Sequence, residues 1–244
     1  MSFIWADWPA PSCVKAVSTT RMGGVSNPPY NHLNLGDHVG DTVDAVSENR
    51  QHLLRSLSVN HIQWLSQVHG VQVVNAQSDQ AVLEADASYT SQSQLACAIM
   101  TADCLPVLFT NKQGTQVAAA HAGWRGLADG ILEATLAQFT NPLDVIVWLG
   151  PAIGPDAFEV GQEVYDRFVS DVASASSAFK PSPSHRDRWL ADLYQLARLR
   201  LMRASVIDIY GGGFCTFSET DRFFSYRRTP VTGRMASLIW IDQP

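Results

Sequence analysis

The sequence lacks the features that mark a secreted or membrane-embedded chain. Its first residues, MSFIWADWPAP, contain no basic stretch ahead of an apolar run, so they do not resemble a signal peptide. No apolar run approaches the length of a membrane span. The cysteines have no paired spacing, which predicts reduced thiols at Cys13, Cys97, Cys104 and Cys215. These absences predict a cytoplasmic protein that makes no membrane contact.

An excess of basic charge is also missing. The chain has 17 basic and 23 acidic side chains and a formal net charge of -6. We therefore do not expect it to bind a nucleic acid by neutralising phosphates. We predict small-molecule partners and a chain that acts as a monomer.

Repeats, low-complexity tracts and long linkers are absent from the sequence. Of the 244 residues, 46% are apolar, which is enough for one substantial core. We therefore predict a single domain over residues 1–244. The one loose stretch, residues 170–187, contains small and polar residues and two prolines, which indicates a surface excursion or a lid.

Short apolar β-type runs alternate with helical patterns, which predicts an α/β or α+β fold. A first helix is predicted after a cap at Asp41 or Thr42, and a second after Gly126, where apolar residues recur at spacings of four and three. A third is predicted over residues 190–203. The predicted strands, several of them buried on both faces, are residues 62–65, 71–75, 96–100, 107–110, 117–120 and 145–149.

Three metal-competent residues lie at predicted strand ends or in the loops just after them: His69 in QVHG, Cys104 in TADCLPV and His121 in AAAHAGWRG. Each is followed within two residues by a glycine or a proline, which marks a turn. Any one of them alone is more often a structural residue. Together they form a set that zinc accepts, with a fourth position left for water or substrate. The set predicts an open metal site.

The same residues also fit a different chemistry. Cys104 and His121 could form a thiolate–imidazolium pair, with Asp103 or another carboxylate orienting the histidine, which would indicate a cysteine hydrolase. Sequence spacing does not separate the two interpretations. The additional histidine, His69, favours the metal site.

Ordered motifs run through nearly the whole chain. They are STTRMGGVS (18–26), NLGDHVGD (34–41), ENR (48–50), QVHG (67–70), TADCLPVLF (101–109), HAGWRG (121–126), GPAIGPDAFEVGQEV (150–164), FFSYRR (223–228) and TGRMAS (232–237). In these motifs the chain closely resembles the bacterial laccase-domain family, whose multicopper polyphenol oxidase-like members are now interpreted as zinc-dependent purine nucleoside phosphorylases.

The resemblance implies that His69, Cys104 and His121 are zinc ligands, because they match the family's ligands one for one. It implies layered mixed sheets covered by helices. The implied activity is phosphorolysis of adenosine, inosine, guanosine and methylthioadenosine, with adenosine deamination as a side activity. Editing of peptidoglycan precursors is a second implied role, and the older oxidase name implies copper.

The residues of the chain do not support all of these implied activities equally. A four-copper oxidase needs roughly ten histidine ligands, whereas the chain has seven histidines in all, so zinc is expected rather than copper. The H-x-E and P-C-x-x-C signature of zinc deaminases is absent. A deaminase here would use another arrangement, with Asp103 either as the proton carrier or as a turn-capping residue.

Phosphorolysis also requires a phosphate site and a face on which the purine stacks. Arginine binds phosphate through bidentate hydrogen bonds, and the candidates are Arg21, Arg125, Arg227 and Arg228. The candidate stacking residues are Phe223, Phe224, Tyr226 and Trp124. The GPAIGP turn at residues 150–155 either lines the pocket or only connects two elements.

Overall fold

The computed structural model of the protein describes residues 1–79 and 81–242. The strands are β1 (Phe3–Trp5), β2 (Val14–Thr19), β3 (His61–Gln63), β4 (Leu65–Ser66), β5 (Val73–Asn75), β6 (Leu83–Glu84), β7 (Ala87–Thr90), β8 (Leu95–Thr101), β9 (Leu105–Asn111), β10 (Val117–Ala122), β11 (Val145–Leu149), β12 (Glu159–Gly161), β13 (Phe179–Pro181), β14 (Arg188–Ala191), β15 (Asp208–Gly211) and β16 (Met235–Ile241). The α-helices are α1 (Val43–Leu57), α2 (Trp124–Asp129), α3 (Ile131–Leu136), α4 (Gln162–Val169) and α5 (Leu193–Arg203). Within the described residues, none of the helices combines the length and the apolar character needed to span a bilayer.

Two large mixed sheets form the centre of the fold. The first has the strand order β1-β2-β16-β8-β3, and the second has the order β15-β11-β9-β10-β7-β5. Most neighbours are antiparallel, but β3 and β8, β5 and β7, and β11 and β15 pair in parallel. A smaller sheet, β12-β14-β13, and the β4-β6 pair lie outside these two sheets.

The two large sheets pack face to face, and helices cover their outer faces. Between the sheets, Ile99 and Ile239 of the first share a cluster with Leu108 and Trp148 of the second. Helix α1 packs on the outer face of the first sheet, while α2, α3 and α5 pack on the outer face of the second. This sequence of layers confirms the predicted mixed α/β fold in a single domain.

The innermost strands are buried along their whole length. Every residue of β8, β10 and β11 is buried, because one face of each strand meets the other large sheet and the opposite face meets a helix layer. Such strands contain continuous apolar runs without polar alternation. The prediction of doubly buried strands is confirmed, and the strand at 145–149 has the predicted bounds.

The predicted helix after Gly126 is in fact two short helices. Helix α2 begins at Trp124 and is followed by Gly130, whose φ of 103° lies in the left-handed region. Helix α3 starts directly afterwards and ends at Leu136, so Phe139 lies beyond it, although this ring packs in the same core. The apolar spacing predicted the buried face, whereas the break depends on the freedom of glycine at positive φ.

Other boundaries differ because β-pairing competes with the local pattern. The predicted strand at 62–65 is divided between β3 and β4, which belong to different sheets. The helix predicted over 190–203 begins at Leu193, after Asp192 caps it, because residues 188–191 pair as β14. Helix α1 starts as predicted, with Thr42 accepting a hydrogen bond from the Ala45 amide.

The loose stretch at 170–187 contains a 3₁₀ helix, Ala173–Ala178, followed directly by β13. Strand β13 pairs with β14, and β14 pairs with β12. The stretch is therefore partly built into the small sheet, and its role as a lid stays a prediction.

Candidate metal centre and active-site cavity

The three candidate metal ligands meet at one end of the stacked sheets. Cys104 lies in the short loop that leaves β8 of the first sheet at Thr101 and enters β9 of the second sheet at Leu105. His121 is near the end of β10, which pairs with β9, and His69 lies in the loop between β4 and β5. The crossover from one sheet to the other therefore brings Cys104 beside the two histidines.

The donor atoms of these residues form a compact group. One ligand atom from each of His69, Cys104 and His121 lies within 4.8 Å of the others, and Cys104 Sγ is 3.9 Å from His69 Nε2. The two imidazole rings meet edge to face, with centroids 4.8 Å apart. Donors around one tetrahedral zinc ion lie roughly 3.3–3.8 Å apart. The group could therefore close around a single ion with small side-chain adjustments.

Gly123 shows that this corner is shaped around the ligands. A Cβ at this position would lie 2.9 Å from His69 Cδ2 and 3.2 Å from Cys104 Sγ. Any side chain would therefore displace the two ligands. Gly123 of the HAGWRG motif is therefore required by its close approach to the ligands.

A buried carboxylate joins the two histidines. Asp86 is fully buried, and its Oδ1 accepts hydrogen bonds from His121 Nδ1 at 2.8 Å and from the His69 amide at 2.9 Å. Its Oδ2 accepts from the Gly70 amide at 2.7 Å and the Val68 amide at 3.2 Å. Asp86 thus orients the His121 ring, leaving its Nε2 for the metal, and fixes the loop that carries His69.

This role of Asp86 was not predicted from the sequence. It stands in LEADASY just before β7, where an acidic residue is unremarkable by itself. An ionised side chain is seldom fully buried without a partner. Burial of this position would therefore mark Asp86 as a candidate site residue. That burial is set by the assembled sheets and not by the local sequence.

The protonation states of the metal-free group follow from its charges. Burial opposes the thiolate of Cys104, but the positive charge of His121 and hydrogen bonds from His121 and His69 lower the pKa of this thiol to about 6. Burial opposes the imidazolium of His121, but Cys104 and Asp86 raise its pKa to about 9. Burial raises the pKa of Asp86, whereas His121 and the loop amides lower it to below its usual value. A thiolate, the form that binds metals, is therefore favoured at neutral pH.

Asp103, adjacent to Cys104, anchors the segment after β15. Its Oδ1 accepts a hydrogen bond from Thr216 Oγ1 at 2.6 Å, and its Oδ2 accepts from Ser225 Oγ at 3.0 Å and from the Arg227 amide at 2.7 Å. Its backbone has a φ of 100°, in the left-handed region. Both oxygens are engaged, so the geometry favours a positioning role over the predicted proton carrier.

A cavity of about 380 Å³ opens beside the metal centre. His69, Cys104 and His121 form part of its wall, and Asp103 and Gln67 lie next to them. The remaining lining combines an apolar group with a polar and basic group: Met100, Thr101, Ala102, Ile153 and Phe158, and His38, Tyr226, Arg227 and Arg234. The volume falls in the range of sites for small ligands.

Of the four predicted phosphate-binding arginines, only Arg227 lines this cavity. The guanidinium of Arg21 donates to the carbonyl oxygens of Asn31 and Thr220. Arg125 is exposed and lies over the Trp124 ring. Neither Arg21 nor Arg125 lines the cavity. Arg21 is held away from it by the backbone carbonyls that accept its N–H groups.

Arg228 is similarly committed to the backbone. Its guanidinium donates to the carbonyl oxygens of Thr216, Phe217 and Phe223 at 2.7–2.8 Å. It therefore holds the 216–228 segment together and does not face the cavity. Its neighbour Arg227 uses only Nη1, which donates to the Glu159 carbonyl at 2.7 Å.

Arg234 lines the cavity but was not among the predicted phosphate-binding arginines, although it lies in the TGRMAS motif. Its Nη1 donates to the carbonyl oxygens of Thr232 and Gly233. Burial lowers the pKa of its guanidinium, and the nearby Cys104 and Asp103 act in the opposite direction. His38, in the NLGDHVGD motif, was also omitted and lines the cavity.

Of the four predicted stacking residues, only Tyr226 lines the cavity. Phe223 and Phe224 are fully buried in a small core cluster with Ala102 and Met235. Trp124 packs at the edge of the main core. Tyr226 lines the cavity and is 55% exposed, so its ring is available to a ligand. The GPAIGP segment contributes Ile153 to the cavity, so this motif does line the pocket.

Fold and site together define a mixed α/β protein in which a His-Cys-His group that could hold a metal ion lies at the wall of a cavity. The profile of the family described as multi-copper polyphenol oxidoreductase laccase matches residues 15–242, and the chain belongs to this family.

Relatives with assigned names support an enzymatic function. A protein named purine nucleoside phosphorylase from Pseudomonas aeruginosa is 56% identical over 242 residues, covering 99% of both chains. Another of that name from Escherichia coli is 54% identical, covering 96% of both. A crystal structure of a Neisseria meningitidis protein aligns over 100% of both chains with a TM-score of 0.95 and 51% identity.

Proposed function

We propose that the protein is a zinc-dependent purine nucleoside phosphorylase that transfers the pentosyl group of adenosine, inosine, guanosine or methylthioadenosine to inorganic phosphate. The observation that carries the proposal is the convergence of His69, Cys104 and His121 on the wall of a cavity that also presents Arg227 and Arg234. The names of the relatives at 48–56% identity support the same activity.

Zinc fits the donor set better than copper does. Two imidazole nitrogens and a thiolate suit zinc, and three protein ligands leave a position open. Asp86 supplies the carboxylate that commonly orients a metal-bound histidine. In the described part of the chain, the three residues form the only group of this kind, whereas a multicopper oxidase requires several copper sites. The family name therefore does not support copper here.

Bound zinc would supply a Lewis acid that polarises an oxygen ligand of the substrate. His69, Cys104 and His121 would hold it, and Asp86 would keep the histidines in position. A thiolate ligand must remain reduced to bind the metal, and a reducing compartment favours this state. All four cysteines are free thiols, which supports the proposed cytoplasmic location.

Arg227 and Arg234 are the groups best placed to bind phosphate. Within the described residues, Nε and Nη2 of each guanidinium make no hydrogen bond to the protein, since the assigned hydrogen bonds use only Nη1. Both guanidinium groups lie over aromatic rings, Arg227 over Phe158 at 5.4 Å and Arg234 over Tyr226 at 6.0 Å. An edge with two N–H groups binds two oxygens of one phosphate. Both arginines lie against the cavity beside the metal ligands. Asp103 helps to place Arg227 by accepting its backbone N–H.

The nucleoside would occupy the rest of the cavity. Met100, Ile153 and Phe158 form an apolar surface for the purine, and the exposed ring of Tyr226 offers a stacking face. A phosphate oxygen then attacks C1′ of the sugar while the C1′–N9 bond breaks, giving the pentose 1-phosphate and the free base. The chain's contribution is to align the two reactants and to balance their charge.

Adenosine deamination is proposed as a side activity of the same centre. It requires a proton carrier as well as the metal. Asp103 is a poor carrier, because both of its oxygens accept hydrogen bonds from Thr216, Ser225 and Arg227. We therefore expect deamination to be slower than phosphorolysis.

A cysteine hydrolase, including an editing enzyme for peptidoglycan precursors, is the alternative function. In such an enzyme the nucleophile would be Cys104 and the base His121, with Asp86 as the carboxylate that orients the histidine. The lowered pKa of the Cys104 thiol, about 6, favours a nucleophilic thiolate in the metal-free protein. Such a hydrolase would keep its activity after the metal is removed, whereas the phosphorylase would lose it.

The deciding experiment is base release by purified protein carrying one zinc ion per chain. We expect hypoxanthine and ribose 1-phosphate from inosine in phosphate buffer, no hypoxanthine without phosphate, and loss of activity in Cys104→Ser. Cys13→Ser, which replaces a thiol that contacts Gly114 on another side of the core, is the matched control. Zinc-loaded protein that releases no base from inosine or adenosine in phosphate would refute the proposal.

A further inference from the structure

We propose that His38 is a catalytic residue that donates a proton to the departing purine. The inference rests on the proposed phosphorolysis and adds a residue to it. His38 lies in the loop between Leu35 and Asp41, ahead of α1, and lines the same cavity as the metal ligands. It is not part of the metal-binding group.

The reaction needs a proton at the base. When the C1′–N9 bond breaks, its electron pair moves onto the purine, which leaves as an anion unless a proton reaches N7. A positioned general acid commonly accelerates such a step by about 10²- to 10⁴-fold. An imidazolium is suited to this task at neutral pH.

Apart from the Tyr226 phenol, whose ring is assigned to stacking on the purine, the other ionisable groups in the cavity wall are already committed. His69, Cys104 and His121 would be bound to the metal. The carboxylate of Asp103 accepts three hydrogen bonds, which engage both of its oxygens. Arginine does not release its proton in proteins, which excludes Arg227. His38 is the imidazole left available.

The surroundings of His38 orient its ring and leave one nitrogen free. Its Nδ1 lies 3.4 Å from Asp37 Oδ1, and Asp37 Oδ2 lies 3.3 Å from Arg50 Nη2. Arg50 is itself fixed, because its Nε donates to the Leu35 carbonyl and its guanidinium lies over the Trp64 ring. Among the described residues, His38 Nε2 has no partner. It is therefore the nitrogen that can serve the substrate.

The loop that carries His38 is tied to the phosphate side of the cavity. Asn34 Oδ1 accepts hydrogen bonds from the amides of both Gly36 and Arg234, each at 2.9 Å. Tyr30 Oη donates to the Val39 carbonyl at 2.8 Å. One asparagine thus fixes the relation between the His38 loop and Arg234. The charged and titratable groups near His38 are Asp37 and Arg50 on its own side of the cavity and Tyr226, Arg227 and Arg234 elsewhere in the wall.

The proposed step balances without a further reactant. A phosphate oxygen forms the bond to C1′, the C1′–N9 electron pair goes to the purine, and the Nε2 proton of His38 goes to N7. The phosphate loses its own proton on becoming the ester. His38 is about half exposed, so it regains a proton from the solvent.

The test compares inosine with 7-methylguanosine, whose N7 is already alkylated, so that its base leaves without being protonated. In His38→Gln, we expect kcat for inosine to fall about 100-fold, whereas kcat for 7-methylguanosine stays within about threefold of the unsubstituted protein. The matched control is His52→Gln, at a partly exposed histidine of α1 that does not line the cavity, and it should leave both rates unchanged.

Two results would overturn the inference. An equal loss on both nucleosides would make His38 a binding or structural residue, and an unchanged rate on inosine would exclude it from the reaction. Circular dichroism and zinc content of His38→Gln show whether the variant is folded and loaded, and His38→Asn provides a second variant. Failure of the proposed function is distinguishable, because the unsubstituted protein would then release no base from either nucleoside.

Discussion

Asp86 Oδ1 accepts a hydrogen bond from His121 Nδ1 at 2.8 Å, and the same oxygen accepts the amide N–H of His69 at 2.9 Å. One buried atom therefore positions two of the three metal ligands. The pairing resembles the carboxylate–histidine–zinc arrangement, in which the carboxylate fixes the tautomer of the ligand.

Asp86→Asn should weaken zinc binding, because the amide cannot accept all four hydrogen bonds made by the carboxylate. We expect a loss of zinc affinity of about 10- to 100-fold, measured by competition with a chromophoric chelator. Asp129→Asn, which removes an exposed carboxylate paired with Arg167, is the control. Unchanged zinc affinity in Asp86→Asn would show that the ligands are positioned without it.

Cys104 in the metal-free protein should react with iodoacetamide at unusually low pH. The pKa of its thiol is lowered to about 6, so the thiolate fraction, and with it the alkylation rate, should rise through about pH 6 and level off above it. An ordinary thiol shows this rise near pH ~8.5. Mass spectrometry of the alkylated peptide measures the rate, and zinc should protect the thiol. A midpoint near pH ~8.5 would contradict the prediction.

Arg227→Gln and Arg234→Gln should each raise KM for phosphate. A hydrogen bond to a charged group contributes about 1.5–3 kcal/mol, and about 1.4 kcal/mol corresponds to a tenfold change, so we expect an increase of at least about tenfold. Arg125→Gln should have no effect, because Arg125 is exposed and lies over Trp124 outside the cavity. Steady-state kinetics with varied phosphate decides between these outcomes. If Arg125→Gln raised KM for phosphate as much as Arg227→Gln does, the phosphate site would instead lie at the HAGWRG loop.

Asp103→Asn should act through structure rather than through proton transfer. The carboxylate accepts hydrogen bonds from Thr216, Ser225 and Arg227, so we expect the free energy of unfolding to fall by about 1.5–3 kcal/mol. KM for phosphate should rise as Arg227 loses its anchor, and the pH profile of kcat should keep its shape. Urea denaturation and pH–rate measurements test both parts. Loss of one limb of the pH profile without a change in stability would restore Asp103 as a proton carrier.

Much of the fold followed from local pattern. The apolar runs at β8, β10 and β11 predicted buried strands, and the Thr42 cap predicted the start of α1. The break at Gly130 and the division at residues 62–65 were missed. Glycine permits the positive φ at Gly130 but does not require it, so the sequence pattern alone did not predict the break. Strand membership at residues 62–65 depends on the sheet in which each partner strand lies.

Sequence and structure indicate the same three candidate metal ligands. Their residue types and their positions at strand ends indicated a site before any contact was known, because few side chains bind zinc and turns expose them. The predicted set of His69, Cys104 and His121 is the set whose donor atoms lie together. The identity of the metal stays a prediction.

Local chemistry and periodicity were enough to predict which residues could bind a metal and which segments would be buried strands. Which polar groups serve the site depends instead on contacts between distant parts of the chain. Asp86 and His121 are 35 residues apart, and Asn34 and Arg234 are 200 apart. Arg21 and Arg228 are held away from the cavity by backbone carbonyls. Arg227 and Arg234 line the cavity and use only Nη1 in hydrogen bonds to the described residues. Hydrogen bonds of this kind depend on where the chain returns in space, which spacing along the sequence does not encode.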